Sequence, residues 1–187
     1  MSIIAGNLQA VEATIGAACA SAGRARKDVQ LLAVSKTFPA EAVVEAMATG
    51  QRAFGENYLQ EALDKMQEVA RLQPDTAVEW HFIGPIQSNK TRPIAAHFNW
   101  VHTVERLKIA QRLSEQRPPE LAPLDICLQV NISGESSKSG ATEADLPELA
   151  RQVAALPNLR LRGLMAVPEP TADVAEQRAG LARLRSL

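Results

Sequence analysis

The chain of 187 residues is long enough for one domain with a hydrophobic core and short for two. Hydrophobic residues make up 46% of it and charged residues 22%, which excludes disordered, collagen-like and disulfide-scaffold proteins. The formal net charge is -1 and there is no basic stripe, so no strong electrostatic field attracts nucleic acid or an anionic membrane.

The two cysteines, Cys19 and Cys127, form no CxxC motif and no cluster with histidine. This spacing argues against a zinc site and favours two buried, reduced thiols. The first twenty residues lack the basic segment and long apolar core of a signal peptide, and we expect no apolar run of membrane-spanning length. The sequence therefore predicts a cytoplasmic protein without membrane contact.

The chain begins with a predicted amphipathic helix and then alternates between strands and helices. Apolar residues form one helical stripe at Ile4, Leu8, Val11, Ile15 and Cys19. Strands are predicted at residues 29–36, 52–57, 77–84, 100–104, 123–131 and 159–167. Helices are predicted at residues 39–50, 58–72, 88–98, 105–116, 143–156 and 172–187, the third of them interrupted near Pro93.

Six strand–helix units predict an α/β protein with a parallel sheet and outer helices. A doubly wound sheet is one solution, but no GxGxxG motif follows the first strand. Polar or unusual residues instead recur at the carboxyl ends of the strands, which form the active-site rim of a (β/α)8 TIM barrel. They are Lys36, Asn57, residues 81–84, Thr103, Asn131 and Met165. A closed barrel needs eight strands and typically about 250 residues, so we expect either an open sheet or a shortened barrel.

Lys36 ends the first predicted strand, two residues after Val34 and four after Leu32. Because strand side chains alternate between faces, all three would point into the barrel. A partly desolvated lysine there is a nucleophilic amine that forms Schiff bases with carbonyl compounds, including pyridoxal phosphate (PLP). The alternative is a lysine that extends its ammonium group from the strand end into water.

Four further positions have both a structural and a ligand-binding interpretation. Asn57 is either a helix cap or a polar group facing a ligand. His81 is either a hydrogen-bonded core histidine or part of a site, and Met165 either packs in the core or lines a site. Lys138 belongs to a polar loop that is either solvated or in contact with a ligand.

Five segments together resemble the pyridoxal phosphate homeostasis protein family, also called YggS-like or PROSC-like. They are "LLAVSKT", "GQRAFGENYLQE", "EWHFIGPIQSNK", "NISGESSKSG" and "LRGLMAVP", in the family's order and over nearly the whole chain. The resemblance implies a single alanine-racemase-like barrel domain over residues 1–187, without the racemase's second domain. It also implies that Lys36 holds PLP as a Schiff base and that Asn57, His81 and Met165 line the cofactor. It links Lys138 to cofactor handling or transfer.

The sequence departs from the family pattern in two places. Where the family often has "SKTKP", this chain has Thr37, Phe38 and Pro39 after the lysine, so a second lysine is missing. The family also continues with a Ser-rich "GMS" segment and an Arg-Ile-Gly-Thr-like segment, which supply the last two strands and the phosphate cup. Neither occurs here, and we therefore expect the chain to lack the C-terminal part of the barrel.

The resemblance implies a non-catalytic carrier that holds PLP, buffers its aldehyde and passes it to apo-enzymes. A neutral surface and a complete single domain favour a monomer, whereas an exposed sheet edge would favour self-association. A PLP-dependent amino-acid racemase is the main alternative, although it needs an acid/base group on each face of the substrate. The only tyrosine is Tyr58, and no second domain supplies the opposite group. A Schiff-base aldolase and a fragment without a ligand are the remaining alternatives.

Overall fold

The computed structural model describes residues 2–133 and 139–187, and it confirms the predicted order of one leading helix followed by alternating strands and helices. The described α-helices are α1 (Ile3–Ser21), α2 (Ala40–Met47), α3 (Leu59–Leu72), α4 (Thr91–His97), α5 (Leu107–Gln116), α6 (Leu146–Ala154) and α7 (Val174–Ser186). The described strands are β1 (Ala33–Val34), β2 (Ala53–Glu56), β3 (Glu79–Phe82), β4 (Trp100–Val104), β5 (Leu124–Gln129) and β6 (Leu159–Met165).

The strands form one sheet in the order β1-β2-β3-β4-β5-β6. The pairs β1–β2, β3–β4, β4–β5 and β5–β6 are all parallel. Sequential parallel order with a helix after each strand is the arrangement of a barrel of the (β/α)8 type. The described residues supply six of the eight strands of such a barrel, as the sequence predicts.

The first strand is much shorter than predicted, with two residues instead of the eight of positions 29–36. β1 is at one end of the strand order and has only the four-residue β2 as its neighbour. The carbonyl of Leu31 accepts a hydrogen bond from the side chain of Gln51 at 3.0 Å rather than from a strand. Apolar β-forming residues alone therefore did not determine where the ladder begins.

The helix predicted at residues 88–98 is interrupted three residues before Pro93, at Lys90. Residues Ser88–Lys90 form a 3₁₀ turn, and α4 begins at Thr91. Pro93 is the third residue of α4, where an N–H has no intrahelical acceptor, so proline removes no helical hydrogen bond.

The chain divides within β3, after Trp80, into two compact units. The core of the first unit packs β2 with side chains of α2 and α3, and the rings of Phe54 and Trp80 lie 5.8 Å apart. In α1 only Cys19 is fully buried, and Val11 of the predicted stripe is 43% exposed.

By length and composition α1 could cross a membrane, contrary to the expectation of no such run. Core helices of soluble proteins and signal sequences meet the same criterion. The many alanines and glycines of α1 explain why the sequence pattern missed it, since each is only weakly apolar.

The second unit is built around β5, which lies between β4 and β6. Its core includes Ile94, Phe98, Val101, Leu113, Leu124, Ile126 and Leu128. Cys127 is buried and unpaired, as predicted, and Cys19 of the first unit is as well. Burial raises the pKa of the Cys127 thiol to about 11, so the thiol stays protonated at neutral pH.

Candidate functional site

Lys36 and Asn57 follow the carboxyl ends of two paired strands, β1 and β2. Val34 pairs with Gly55, and the amide of Ser35 donates to the carbonyl of Gly55 at 3.0 Å. Asn57 comes directly after β2 and Lys36 two residues after β1, so both belong to the segments that leave the carboxyl edge of these paired strands. Lys36 lies in a turn in which the amide of Phe38 donates to the carbonyl of Ser35 at 3.1 Å.

Lys36 is half-buried, and its amine has no hydrogen-bond or ion-pair partner among the described residues. An amine without a partner is available to react with a carbonyl compound.

Asn57 does not cap the helix that follows it, so that structural interpretation is wrong. α3 begins after Tyr58, and its N-terminus receives no side-chain cap. The Asn57 Oδ1 atom is buried and has no hydrogen-bond partner among the described residues. Buried acceptors in native proteins are nearly always paired, so this atom fits a site whose ligand brings a donor.

A buried polar cluster connects the carboxyl ends of β1 and β2 to α3, and no sequence pattern predicted it. Lys65 of α3 donates to Glu56 Oε1 at 2.6 Å, to the carbonyl of Ser35 at 2.6 Å and to Glu61 Oε1 at 3.0 Å. The Ser35 hydroxyl also donates to Glu56 Oε1 at 2.6 Å. Glu56 is completely buried and Lys65 is 5% exposed. The signals in the sequence are a glutamate inside an apolar strand and the i,i+4 pair of Glu61 and Lys65.

Thr37, the residue after Lys36, has a left-handed backbone with φ 65°. Its amide donates to Glu61 Oε1 at 2.6 Å. Burial disfavours the charged form of Glu61, but hydrogen bonds from Lys65 and the Thr37 amide outweigh it and lower the pKa below 4.5. Glu61 thus stays ionised at neutral pH and holds the turn that follows Lys36.

His81 is buried in β3 and is the first residue of the second unit. Its ring stacks on Trp100 at 5.5 Å with an interplanar angle of 13°, and its Nδ1 lies 2.8 Å from His102 Nε2. The Arg162 guanidinium lies 5.4 Å from the centre of the Trp100 ring. These contacts account for a buried histidine by themselves, so cofactor contact by His81 stays a prediction.

Met165 is the last residue of β6, half-buried and paired with Gln129. The register shifts between Ile126 and Cys127, which pair with Leu161 and Gly163, so the side chains of β6 do not alternate regularly along β5. Alternation along β6 therefore does not fix which face Met165 occupies, and its cofactor contact stays a prediction. Lys138 lies outside the described residues.

Comparisons with known proteins identify the family of this chain. A family profile for the alanine racemase N-terminal domain matches residues 7–187. The pyridoxal phosphate homeostasis protein of Pseudomonas aeruginosa is 66% identical over 187 residues, covering 100% of this chain and 80% of that protein. The protein of the same name from Escherichia coli is 55% identical over 177 residues, covering 95% and 75%. The chain belongs to the pyridoxal phosphate homeostasis protein family.

Solved structures place this member of the pyridoxal phosphate homeostasis protein family in the same fold. PipY of Synechococcus elongatus, solved with PLP bound, is 35% identical and has a TM-score of 0.81, covering 98% of this chain and 79% of PipY. Alanine racemase from Corynebacterium glutamicum is 16% identical, with a TM-score of 0.66, and covers 98% and 48%. At that identity the racemase shares the fold alone.

Proposed function

We propose that this protein binds PLP through Lys36 and serves intracellular PLP homeostasis without catalysis of its own. The proposal rests on one observation. The amine of the half-buried residue Lys36 has no partner among the described residues, and the unpaired acceptor of Asn57 follows the neighbouring strand. PLP bound to PipY and the names of the relatives support the same cofactor.

PLP supplies an aldehyde that condenses with a primary amine to a Schiff base, with loss of water. In this protein Lys36 provides the amine, which attacks in its neutral form. Asn57, which follows the neighbouring strand β2, provides an unpaired acceptor that would orient the ligand. His81, Met165 and Lys138 are further cofactor contacts that the family resemblance implies.

A racemase would need an acid/base group on each side of the bound substrate. The only tyrosine, Tyr58, is 56% exposed before the start of α3, and no described contact directs it toward Lys36. We therefore propose a carrier rather than an enzyme. It acts in the cytoplasm as a monomer and releases PLP to apo-enzymes. Two buried unpaired thiols suit that reducing compartment.

Lys36→Ala is expected to abolish covalent PLP attachment and leave the fold intact, because Lys36 makes no contact that holds the described structure together. The test is the absorbance spectrum after incubation with PLP and desalting, with and without borohydride. Lys108→Ala, which removes an exposed lysine of α5, is the matched control and should retain the wild-type band.

A retained Schiff-base band in the Lys36→Ala variant would contradict the proposal. So would D-alanine formed from L-alanine by the PLP-loaded wild type and lost in Lys36→Ala, since that result would establish a racemase. Transfer of PLP from the loaded wild type to an apo-enzyme, followed by recovery of that enzyme's activity, tests the carrier role.

A further inference from the structure

In the buried cluster of Ser35, Glu56, Glu61 and Lys65, every N–H group of the Lys65 ammonium has a hydrogen-bond acceptor. Its three N–H groups have three acceptors within 3.0 Å, which are Glu56 Oε1, Glu61 Oε1 and the Ser35 carbonyl. Two of the three acceptors are carboxylates, so the bonds are charge-assisted and directional. Lys65 therefore has one arrangement in the first unit rather than several.

Two of these contacts reach the residues on either side of Lys36. Lys65 binds the carbonyl of Ser35 directly. Through Glu61 it is connected to the amide of Thr37, whose φ of 65° is rarely adopted by residues other than glycine. The backbone before and after Lys36 is thus attached to a single buried ammonium group.

Stability alone does not explain this arrangement. A buried ion pair is often no more stabilising than apolar residues of similar volume. The hydrogen bonds instead converge on the two peptide units that set the direction of the Lys36 side chain. The Lys36 residue itself contributes nothing to the cluster, although both its neighbours do.

We propose that Lys65, acting with Glu61, is a positioning residue that fixes the direction of the Lys36 amine. The proposal rests on the proposed function of Lys36 as the PLP-binding lysine. Lys65 touches no ligand in this account and acts through the backbone of Ser35 and Thr37. Its loss leaves Lys36 present but able to adopt several directions.

Two variants test the positioning role. Lys65→Met keeps most of the side-chain volume and removes all three donors. Glu61→Gln removes the charge that links Lys65 to Thr37. Because the Glu61 side chain is 36% exposed, this variant should fold even if Lys65→Met does not. Glu68→Gln breaks an exposed pair with Arg71 on the same helix and is the matched control.

The first readout is the amide proton shift of Thr37 in the ¹⁵N-labelled protein. Glu61→Gln should move it upfield, since the bond to an ionised carboxylate is lost. Lys65→Met should also change it, because Lys65 donates to the same Glu61 oxygen, whereas Glu68→Gln should leave it unchanged. The second readout is the rate of Lys36 methylation by formaldehyde and borohydride, divided by that of Lys108 in the same sample. We expect the ratio to change in both test variants and to stay at the wild-type value in Glu68→Gln.

The third readout is the affinity for PLP, which should fall about tenfold in the test variants, the loss expected when Lys36 points in the binding direction in about one tenth of the molecules. A folded variant with a changed Thr37 shift but an unchanged Lys36 methylation ratio and PLP affinity would overturn the positioning role. If wild type takes no PLP on Lys36, the proposed function fails. The methylation ratio still decides whether Lys65 directs the Lys36 amine.

Discussion

Glu61 links the buried ammonium group of Lys65 to the turn after Lys36, and its ionisation can be followed by pH. Its pKa lies below 4.5, because the hydrogen bonds from Lys65 and the Thr37 amide outweigh the cost of burial. The stabilisation that it gives is therefore complete above pH 4.5 and is lost as the pH falls through the folded-state value.

We predict that the Thr37 amide shift is constant above pH 4.5 and titrates below it. The measurement is a series of ¹H–¹⁵N spectra at decreasing pH, with Glu61→Gln as the control that abolishes the transition. A midpoint at or above 4.5 would show that Glu61 is not held by Lys65 and Thr37.

At this scale the sequence singles out Lys36 and Asn57, because each ends a predicted strand and strand ends are local features. Their contact with a ligand stays a prediction. The Lys65 cluster depends on the register of β1 and β2 and on where α3 packs, which no local pattern encodes. The positive φ of Thr37 could not be predicted either, because threonine has no preference for that conformation.

At the scale of elements, Arg117 closes the C-terminal end of α4. Its buried guanidinium donates to the carbonyls of Ala95 at 2.6 Å, Phe98 at 2.8 Å and Ala122 at 2.9 Å. Burial lowers the pKa of Arg117, with Asp125 acting in the opposite direction. Three carbonyls therefore depend on one side chain located beyond the end of α5.

Arg117→Met should lower the free energy of unfolding by about 3 kcal/mol, because buried acceptors lose their donors at about 1–3 kcal/mol each. Urea unfolding followed by circular dichroism measures the change. Arg71→Met, on the exposed surface of α3, is the control and should leave the midpoint unchanged. Equal midpoints for Arg117→Met and wild type would contradict the capping role.

The end of β5 is joined to the chain that follows the polar loop. The amide of Asn131 donates to the Ala141 carbonyl at 3.0 Å, and the amide of Ala141 donates to the Gln129 carbonyl at 2.8 Å. Gly140 has φ 127°, and a Cβ there would lie 2.5 Å from the Asn131 nitrogen. Only glycine fits this close approach of two backbones.

Gly140→Ala should destabilise the protein by about 1–3 kcal/mol, the cost of one strained backbone conformation. Gly16→Ala in α1, where an added Cβ meets nothing within 4 Å, should instead stabilise it by about 0.5–1 kcal/mol. Thermal unfolding should show a lower melting temperature than wild type for Gly140→Ala and a higher one for Gly16→Ala. A neutral Gly140→Ala would mean that the loop adjusts freely at the end of β5.

The order of elements was predictable because apolar runs, prolines and glycines mark it locally. The residues at which the elements begin and end were less predictable. β1 is two residues long because its ladder depends on β2, and α4 begins at Thr91 because a 3₁₀ turn precedes it. Such limits are set by tertiary hydrogen bonds rather than by propensity.

At the scale of the whole molecule, the sequence predicts a barrel of the (β/α)8 type with six strand–helix units. The described residues form six parallel strands in sequential order. The predicted single domain over residues 1–187 stays a prediction. His81 and Met165 belong to the second unit, whereas Lys36 and Asn57 belong to the first. Which residues share a ligand is a long-range property that neither strand parity nor motif spacing could determine.

The central claim is that Lys36 is the residue that holds PLP. Peptide mapping by mass spectrometry, after incubation of the whole chain with PLP and reduction with borohydride, tests it most directly. Our account predicts one pyridoxyl adduct, on the peptide that contains Lys36. Adducts spread over exposed lysines such as Lys108, or a wild-type chain without any adduct, would contradict it.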